Sequence, residues 1–320
     1  MSRSLLLHGI QLGLGAMLLL SLLTGCSSLR LSPSTAELPS DLPPFIELEN
    51  TPFFPQEKNH CGPAALATLL NQRQIAVLPE TLAERTFLPG LKGSLQIELA
   101  ATARHYGLLV YPLTGNLNSL LKEVAAGNPV LVLQNLGFGW FPRWHYAVVV
   151  GYDLQRRELI LRSGKKRRRV TGFQTFLNTW HRGGNWGIVT LPPDTIPVTA
   201  STLPYLTAAN DLALSNNPEA AHQAYLAASQ AWPKSASVWL TLGNSAYTRE
   251  EWSLALEALQ TAVKLDPNNP AGWNNLAYAL LAFQRNDEAL AAIDQAISIT
   301  PADPNLQDSR REILRAQSQP

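Results

Sequence analysis

Cysteine is scarce in this chain of 320 residues: there are two, Cys26 and Cys61. At most one disulfide is therefore available. An excess of either charge is also missing, because 25 Lys and Arg against 24 Asp and Glu leave a formal charge of +1. Such a balance gives no general pull towards nucleic acid or acidic surfaces, and no nucleic-acid partner is expected. No His/Cys cluster has metal-ligand spacing and no glycine-rich phosphate loop appears, so neither a metal nor a cofactor is expected.

What is present begins at the N-terminus. "MSRSLLLHGIQLGLGAMLLLSLLTGC" opens with one Arg and continues as an apolar stretch from Leu5 to Leu23. These are the n- and h-regions of a secretory signal. The stretch ends in "LLTGC", which resembles the bacterial lipobox. That resemblance implies that residues 1–25 are removed and that Cys26 is diacylated. Ser27 follows Cys26 where Asp would mark inner-membrane retention, so the expected address is the outer membrane, facing the periplasm. An uncleaved membrane anchor is the other reading, since the run approaches the ~20 residues needed to span a bilayer. Lipidation is preferred because "TGC" falls where the apolar run stops.

A lipid on Cys26 leaves Cys61 without a partner. An unpaired thiol outside the cytoplasm invites oxidation, so its presence leans towards chemistry. The alternative is a buried, inert cysteine acting as a small hydrophobe.

Residues 26–55 follow as a Ser- and Pro-rich stretch without a sustained period. They read as a tether, whose later part alternatively lies along the next domain. Residues 56–191 mix helices and strands. Helices are expected at about Cys61–Asn71, in "LPETLAERTF", in "GSLQIELAATARHYG" and in "NLNSLLKEVAAGN", the last with an Asn cap and a closing Gly127. After the short strand "LLVYPL", strands dominate: "PVLVLQN", "HYAVVVGYD", "RELILRS" and "NWGIVTL", with one short helix in "FQTFLNTW". Helices followed by an antiparallel sheet make an α+β domain.

A Pro-marked linker, 192–201, leads into repeats. Trp239 and Trp273 lie 34 residues apart, as do Ala255 and Ala289, and Pro267 and Pro301; one interval earlier stand Tyr205, Ala221 and Pro233. A period of 34 with this content resembles the tetratricopeptide repeat. Small residues let paired helices approach, aromatics fill the gap, and Pro ends each second helix. Three repeats, 202–303, form an all-α solenoid, and 304–320 supply a polar capping helix and tail. The repeats are expected to hold a protein partner or substrate, since concave solenoid faces commonly bind peptides.

Chemistry concentrates around "FFPQEKNHCGPAALATLL". Pro63 suits a helix's first turn, which places Cys61 at a helix N-terminus. Unsatisfied amides and the helix dipole there are expected to depress its pKa. Among the six histidines, His145 stands out: it opens the apolar strand "HYAVVVGYD" directly after the loop "GFGWFPRW", and is placed to line a cleft. Gln56, five residues before Cys61, is positioned to offer an amide donor to an oxyanion, with the Cys61 backbone N–H as second donor.

"Q-x-x-x-x-C-G-P-A-A-L" followed by "H-Y-A-V-V-V-G-Y-D" resembles the papain-like, bacteriocin-leader-processing cysteine peptidases, family thirty-nine of that class. The resemblance covers about 56–191. It implies Cys61 as nucleophile, His145 as general base and acid, and Gln56 as oxyanion donor. The family's third member, usually an Asp after the next strand, orients the histidine. Here the matching place in "ELILRSGKK" holds Ser163. Asp153 is the nearest carboxylate in sequence and reads as a turn residue in "YDLQRR". "KKRRR", 165–169, reads as a solvated hairpin; its functional reading is a basic rim meeting acidic substrate or lipid headgroups.

The expectation is an outer-membrane-anchored cysteine peptidase. Its rival is a degenerate peptidase fold serving as binding module and repeat scaffold in an envelope complex. Family members within transporters cut after Gly-Gly; the transporter segments are missing here, and that specificity is not carried over.

Overall fold

The computed structural model describes residues 41–56 and 59–317. The signal, Cys26 and the first part of the tether lie outside the described residues. The described residues belong to one compact unit, and none of the described helices is long and apolar enough to cross a membrane.

Helix α1, Cys61–Gln72, sits at the centre of the N-terminal domain. Its Ala- and Leu-rich sequence favours helix, Pro63 lies in its first turn, and every residue from Gly62 to Leu70 is buried. A helix buried on all sides belongs to a core. Helices α2 (Pro79–Thr86) and α3 (Gln96–His105) pack beside it through Leu82, Leu99 and Ala103.

The sheet behind these helices is antiparallel throughout. Its strands are β1 (Phe45–Glu47), β2 (Leu109–Pro112), β3 (Val130–Asn135), β4 (Trp144–Asp153), β5 (Glu158–Ser163), β6 (Lys166–Gly172) and β7 (Gly187–Leu191). They run in the order β2-β7-β3-β4-β5-β6. β5 covers one edge of β4. On the other edge β3 pairs with Trp144–Val149, and β1 takes over from Gly151 to Asp153. β1 thus lies within the stretch read as tether, in the later part for which a course along the domain is the alternative reading. Gly151 permits this approach, because a Cβ there would stand 2.5 Å from the Ile46 carbonyl oxygen.

Alternation along β4 sends Tyr146, Val148 and Val150 into the core shared with α1. The opposite face is covered by α4 (Leu117–Ala125) and α5 (Phe173–His181). Covering on both sides explains why β3 is buried at all six positions. α4 opens as expected: the Asn116 side chain accepts from the Ser119 amide.

The repeats follow as α6 (Thr202–Leu214), α7 (Pro218–Ala231), α8 (Ala236–Thr248), α9 (Trp252–Leu265), α10 (Pro270–Ala282) and α11 (Asn286–Ile299), closed by α12 (Pro304–Gln317). Their periodicity has a physical counterpart. The Trp239 indole donates to the Pro233 carbonyl at 2.8 Å, and one repeat later Trp273 donates to Pro267 at 2.8 Å. Gly243 lets α8 and α9 touch, since a Cβ there would lie 2.6 Å from Leu259.

The two halves are joined by polar contacts. Buried Glu123 on α4 accepts from the Thr199 amide at 2.8 Å, the Thr199 hydroxyl at 2.6 Å and Asn128 Nδ2 at 2.8 Å. Arg104 pairs with Asp211 at 2.7 Å, and its carbonyl accepts from Asn217.

Candidate active site

The start of α1 meets the start of β4. Cys61 is a free thiol, neither fully buried nor exposed. The main-chain amides of Tyr146, Gly62 and Cys61 itself surround its sulfur and favour its thiolate form. Gly62 is required here: a Cβ would stand 2.7 Å from Ser94 Oγ and 2.8 Å from Ser94 Cβ. The glycine lets the Ser94 segment close over the helix start, and the Tyr146 hydroxyl fastens that segment by donating to the Ser94 carbonyl at 3.1 Å.

The Tyr146 amide lies near Cys61, and the Tyr146 carbonyl accepts from Gln56 Nε2 at 3.2 Å. Gln56 is itself buried, and it is held twice more. Its Oε1 accepts from the Gly164 amide at 2.9 Å, and its own amide donates to the Gly164 carbonyl at 3.0 Å. The residue before Tyr146 is His145, whose Nε2 lies 2.8 Å from the hydroxyl of buried Ser163. Cys61, Gln56, His145 and Ser163, which span more than 100 positions, therefore gather around two consecutive peptide units of β4. Trp186 forms a further wall, packed edge-on to Tyr146 with ring centroids 6.0 Å apart.

The electrostatics differ from the sequence expectation. Burial pushes the Cys61 thiol up, and the three amides that favour the thiolate offset this only in part. Helix-start geometry is present, but desolvation outweighs it. His145 is pushed down to about 4, first by burial and then by the positive charges of Arg169 and Arg143. Both shifts favour the neutral forms, so the resting pair is thiol and neutral imidazole. With Nε2 engaged by Ser163, Nδ1 is the ring nitrogen left for proton transfer.

The remaining candidates lie elsewhere. Asp153 ends β4 at its far end, where its Oδ1 accepts from the Arg156 amide in a turn. His60 caps α1 without a side-chain cap bond and packs edge-on against Phe87. His105 and His181 close α3 and α5, and His222 lies within the repeats beside Ser245 and Glu251. Among the described residues no group of three His, Cys, Asp or Glu could hold a metal ion. "KKRRR" belongs mostly to a strand: β6 starts at Lys166, pairs with β5 through its backbone, and exposes its basic side chains. Arg168 reaches Glu47 at 3.0 Å.

Sequence reasoning missed the Tyr146 main chain, Ser94, Trp186, and the influence of Arg143 and Arg169 on His145. Arg143 was within reach, being two residues from His145. Arg169 was not, because only the β4-β5-β6 pairing brings it near.

Residues 48–188 match the model described as the Peptidase_C39 like family, and residues 206–270 and 240–304 match a tetratricopeptide repeat model. A putative C39-like peptidase from Bacillus anthracis is 20% identical, covering 46% of this chain and 97% of that one, with a TM-score of 0.39. A MamA protein is similar at 20% identity, over 37% of this chain and 64% of its own, with a TM-score of 0.34. Among curated proteins, a peroxisomal targeting signal receptor of Kluyveromyces lactis is 32% identical over 79 residues, 24% of this chain and 14% of the receptor. A TPR repeat-containing protein of Methanocaldococcus jannaschii is 36% identical over 69 residues, 22% of this chain and 12% of its own. The matches to these two cover 14% and 12% of the relatives' lengths.

Proposed function

We propose that this chain, which joins a C39-like peptidase domain to tetratricopeptide repeats, is a cysteine peptidase tethered by lipid to the outer membrane. The observation that carries the reading is the gathering of Cys61, Gln56, His145 and Ser163 around the Tyr146 main chain.

In the proposed reaction, Cys61 Sγ adds to a peptide carbonyl carbon as its proton passes to His145 Nδ1. The C–S bond forms and the carbonyl oxygen becomes an oxyanion, which takes hydrogen bonds from the Cys61 amide and the second Nε2 hydrogen of Gln56. Collapse breaks the C–N bond, and the imidazolium delivers its proton to the departing amine. Water, deprotonated by His145, then releases the acyl group from sulfur. Ser163 holds the ring in place. Because the thiol and imidazole rest neutral, ionisation accompanies substrate attack. The repeats are a protein-binding architecture and would recruit the substrate or a partner.

A thiol-directed activity probe should label the wild type and miss both Cys61→Ala and His145→Ala. Equal labelling of His145→Ala would remove the histidine from the mechanism. A second reading has specific support: Ser163 stands where a carboxylate is expected, and both pKa shifts disfavour an ion pair. These features suit a degenerate domain that binds peptides without cutting them. Absence of labelling in the wild type would favour it.

A further inference from the structure

Two connections project from the end of the sheet that carries the site. One is the β3–β4 hairpin tip, residues 136–143; the other is the β5–β6 turn at 164 and 165. The hairpin exposes Phe138 (66%), Trp140 (84%) and Phe141 (67%), and Trp144 at its base is 56% exposed. Clustered exposure of large aromatics is uncommon on a protein surface and marks an interaction site.

The tip is closed by hydrogen bonds. Phe138 and Phe141 exchange backbone hydrogen bonds at 3.1 and 3.2 Å, and the Leu136 amide donates to the Arg143 carbonyl at 2.9 Å. Asn135 Oδ1 accepts from the Gly137 and Arg143 amides at 2.9 and 2.8 Å. The Phe138 and Trp140 rings stack with centroids 5.8 Å apart. The backbone groups of Phe138 and Phe141 that flank the apex are thus paired with each other, which lowers the cost of taking them out of water.

Charge around the tip is one-sided. Between Val124 and Tyr152, and between Leu159 and Pro193, there are eight Lys and Arg and no Asp or Glu. Of these eight, Arg162 is buried and Arg168 is paired with Glu47, while Arg143, Lys165 and Lys166 are exposed at this end of the sheet. Lys165 and Lys166 mark the β5–β6 turn at the same end of the sheet, and Arg143 leaves the tip itself.

We propose that this end of the domain docks onto an anionic lipid bilayer. The aromatic tip enters the headgroup region, and Arg143, Lys165 and Lys166 meet lipid phosphates. A peptide would be expected in a concave cleft; a projecting tip with Trp140 at its apex fits a yielding, planar partner. The proposal does not require lipid on Cys26. Docking would set the start of α1 and His145 close to the membrane surface.

The test uses residues 40–320, the compact unit without the apolar N-terminal run or Cys26, and vesicles of phosphatidylcholine with or without phosphatidylglycerol. The wild type should float with the anionic vesicles, less so as salt is raised. Phe138→Ser/Trp140→Ser/Phe141→Ser should weaken binding at least about tenfold, and Lys165→Gln/Lys166→Gln by about tenfold on anionic vesicles alone. Circular dichroism would establish that both variants fold. In the wild type, independently of any variant, lipids brominated on their acyl chains should quench part of the tryptophan emission. Failure of the wild type to float, equal binding by the aromatic variant, or absence of quenching would each overturn the proposal. So would an aromatic variant that keeps vesicle binding and loses peptide binding, which would assign the tip to substrate.

Discussion

His145 Nε2 and Ser163 Oγ stand 2.8 Å apart, the serine at the end of a strand whose register slips just before it. A hydroxyl can orient an imidazole but cannot neutralise the charge that the ring would gain in the proposed reaction. Ser163→Ala should therefore lower the rate of reaction with a peptide-based thiol probe by about tenfold, through loss of ring orientation. Ser163→Asp should raise the His145 pKa from about 4, by about 1–3 units for a carboxylate in contact. NMR titration of the imidazole checks this; an unchanged pKa would mean that the position does not govern the ring.

The two shifted groups bound the stability of the fold in pH. The folded pKa of His145, about 4, lies below its ordinary 6.5, so between those values the unfolded chain binds more protons. Stability from this group is complete above 6.5 and lost as pH falls towards 4, at most about 3 kcal/mol. Cys61 is raised above its ordinary 9.0. Its contribution is present below that value and lost as pH rises beyond it. Denaturant midpoints should fall at both extremes, and His145→Gln should flatten the acid limb.

Reactivity of the thiol follows from the same directions. Alkylation of Cys61 by iodoacetamide should rise steadily with pH into the alkaline range, without a plateau near pH 5–7. A plateau there would indicate a preformed thiolate–imidazolium pair.

Gly62→Ala should destabilise the domain by about 1–3 kcal/mol, the usual cost of forcing atoms into a packed site. The new Cβ would meet Ser94 at 2.7–2.8 Å. Ser94→Gly in the same chain should restore part of the loss, and a thermal-melt double-mutant cycle measures the coupling.

Glu123→Ala should cost about 2–4 kcal/mol. The carboxylate is fully buried, carries three hydrogen bonds and sits within range of the Arg73 charge. Thr199 belongs to the segment leading into the repeats, so limited proteolysis near 192–201 should accelerate in the variant.

The fold was legible where it is local. Pro63 and the run of Ala and Leu mark α1, and the 34-residue spacing marks each repeat because every repeat solves the same packing problem. β1 was harder to read: three residues, Phe45 to Glu47, carry no period, and their partner lies about 100 positions away. The basic run hid a strand for a similar reason, since its pairing comes from β5 and its side chains are all solvated. At the site, Cys61, His145, Gln56 and Ser163 were named from motif order. The sign of the thiol's shift was not available, because desolvation depends on what packs around the sulfur and amide proximity alone does not fix it. The Tyr146 contribution was invisible, since any residue supplies a main-chain amide.

Gly164 carries a consequence out of proportion to its size. It sits in the left-handed region at φ +61, and its amide and carbonyl both engage Gln56. Valine there would strain the backbone and release the glutamine from two of its three anchors. The polarity of the cleft is thus set partly by a residue with no side chain, on the rim of the molecule. Sequence variation in that turn would reach the surroundings of Cys61 through Gln56 while leaving the side chains of Cys61, His145 and Ser163 unchanged.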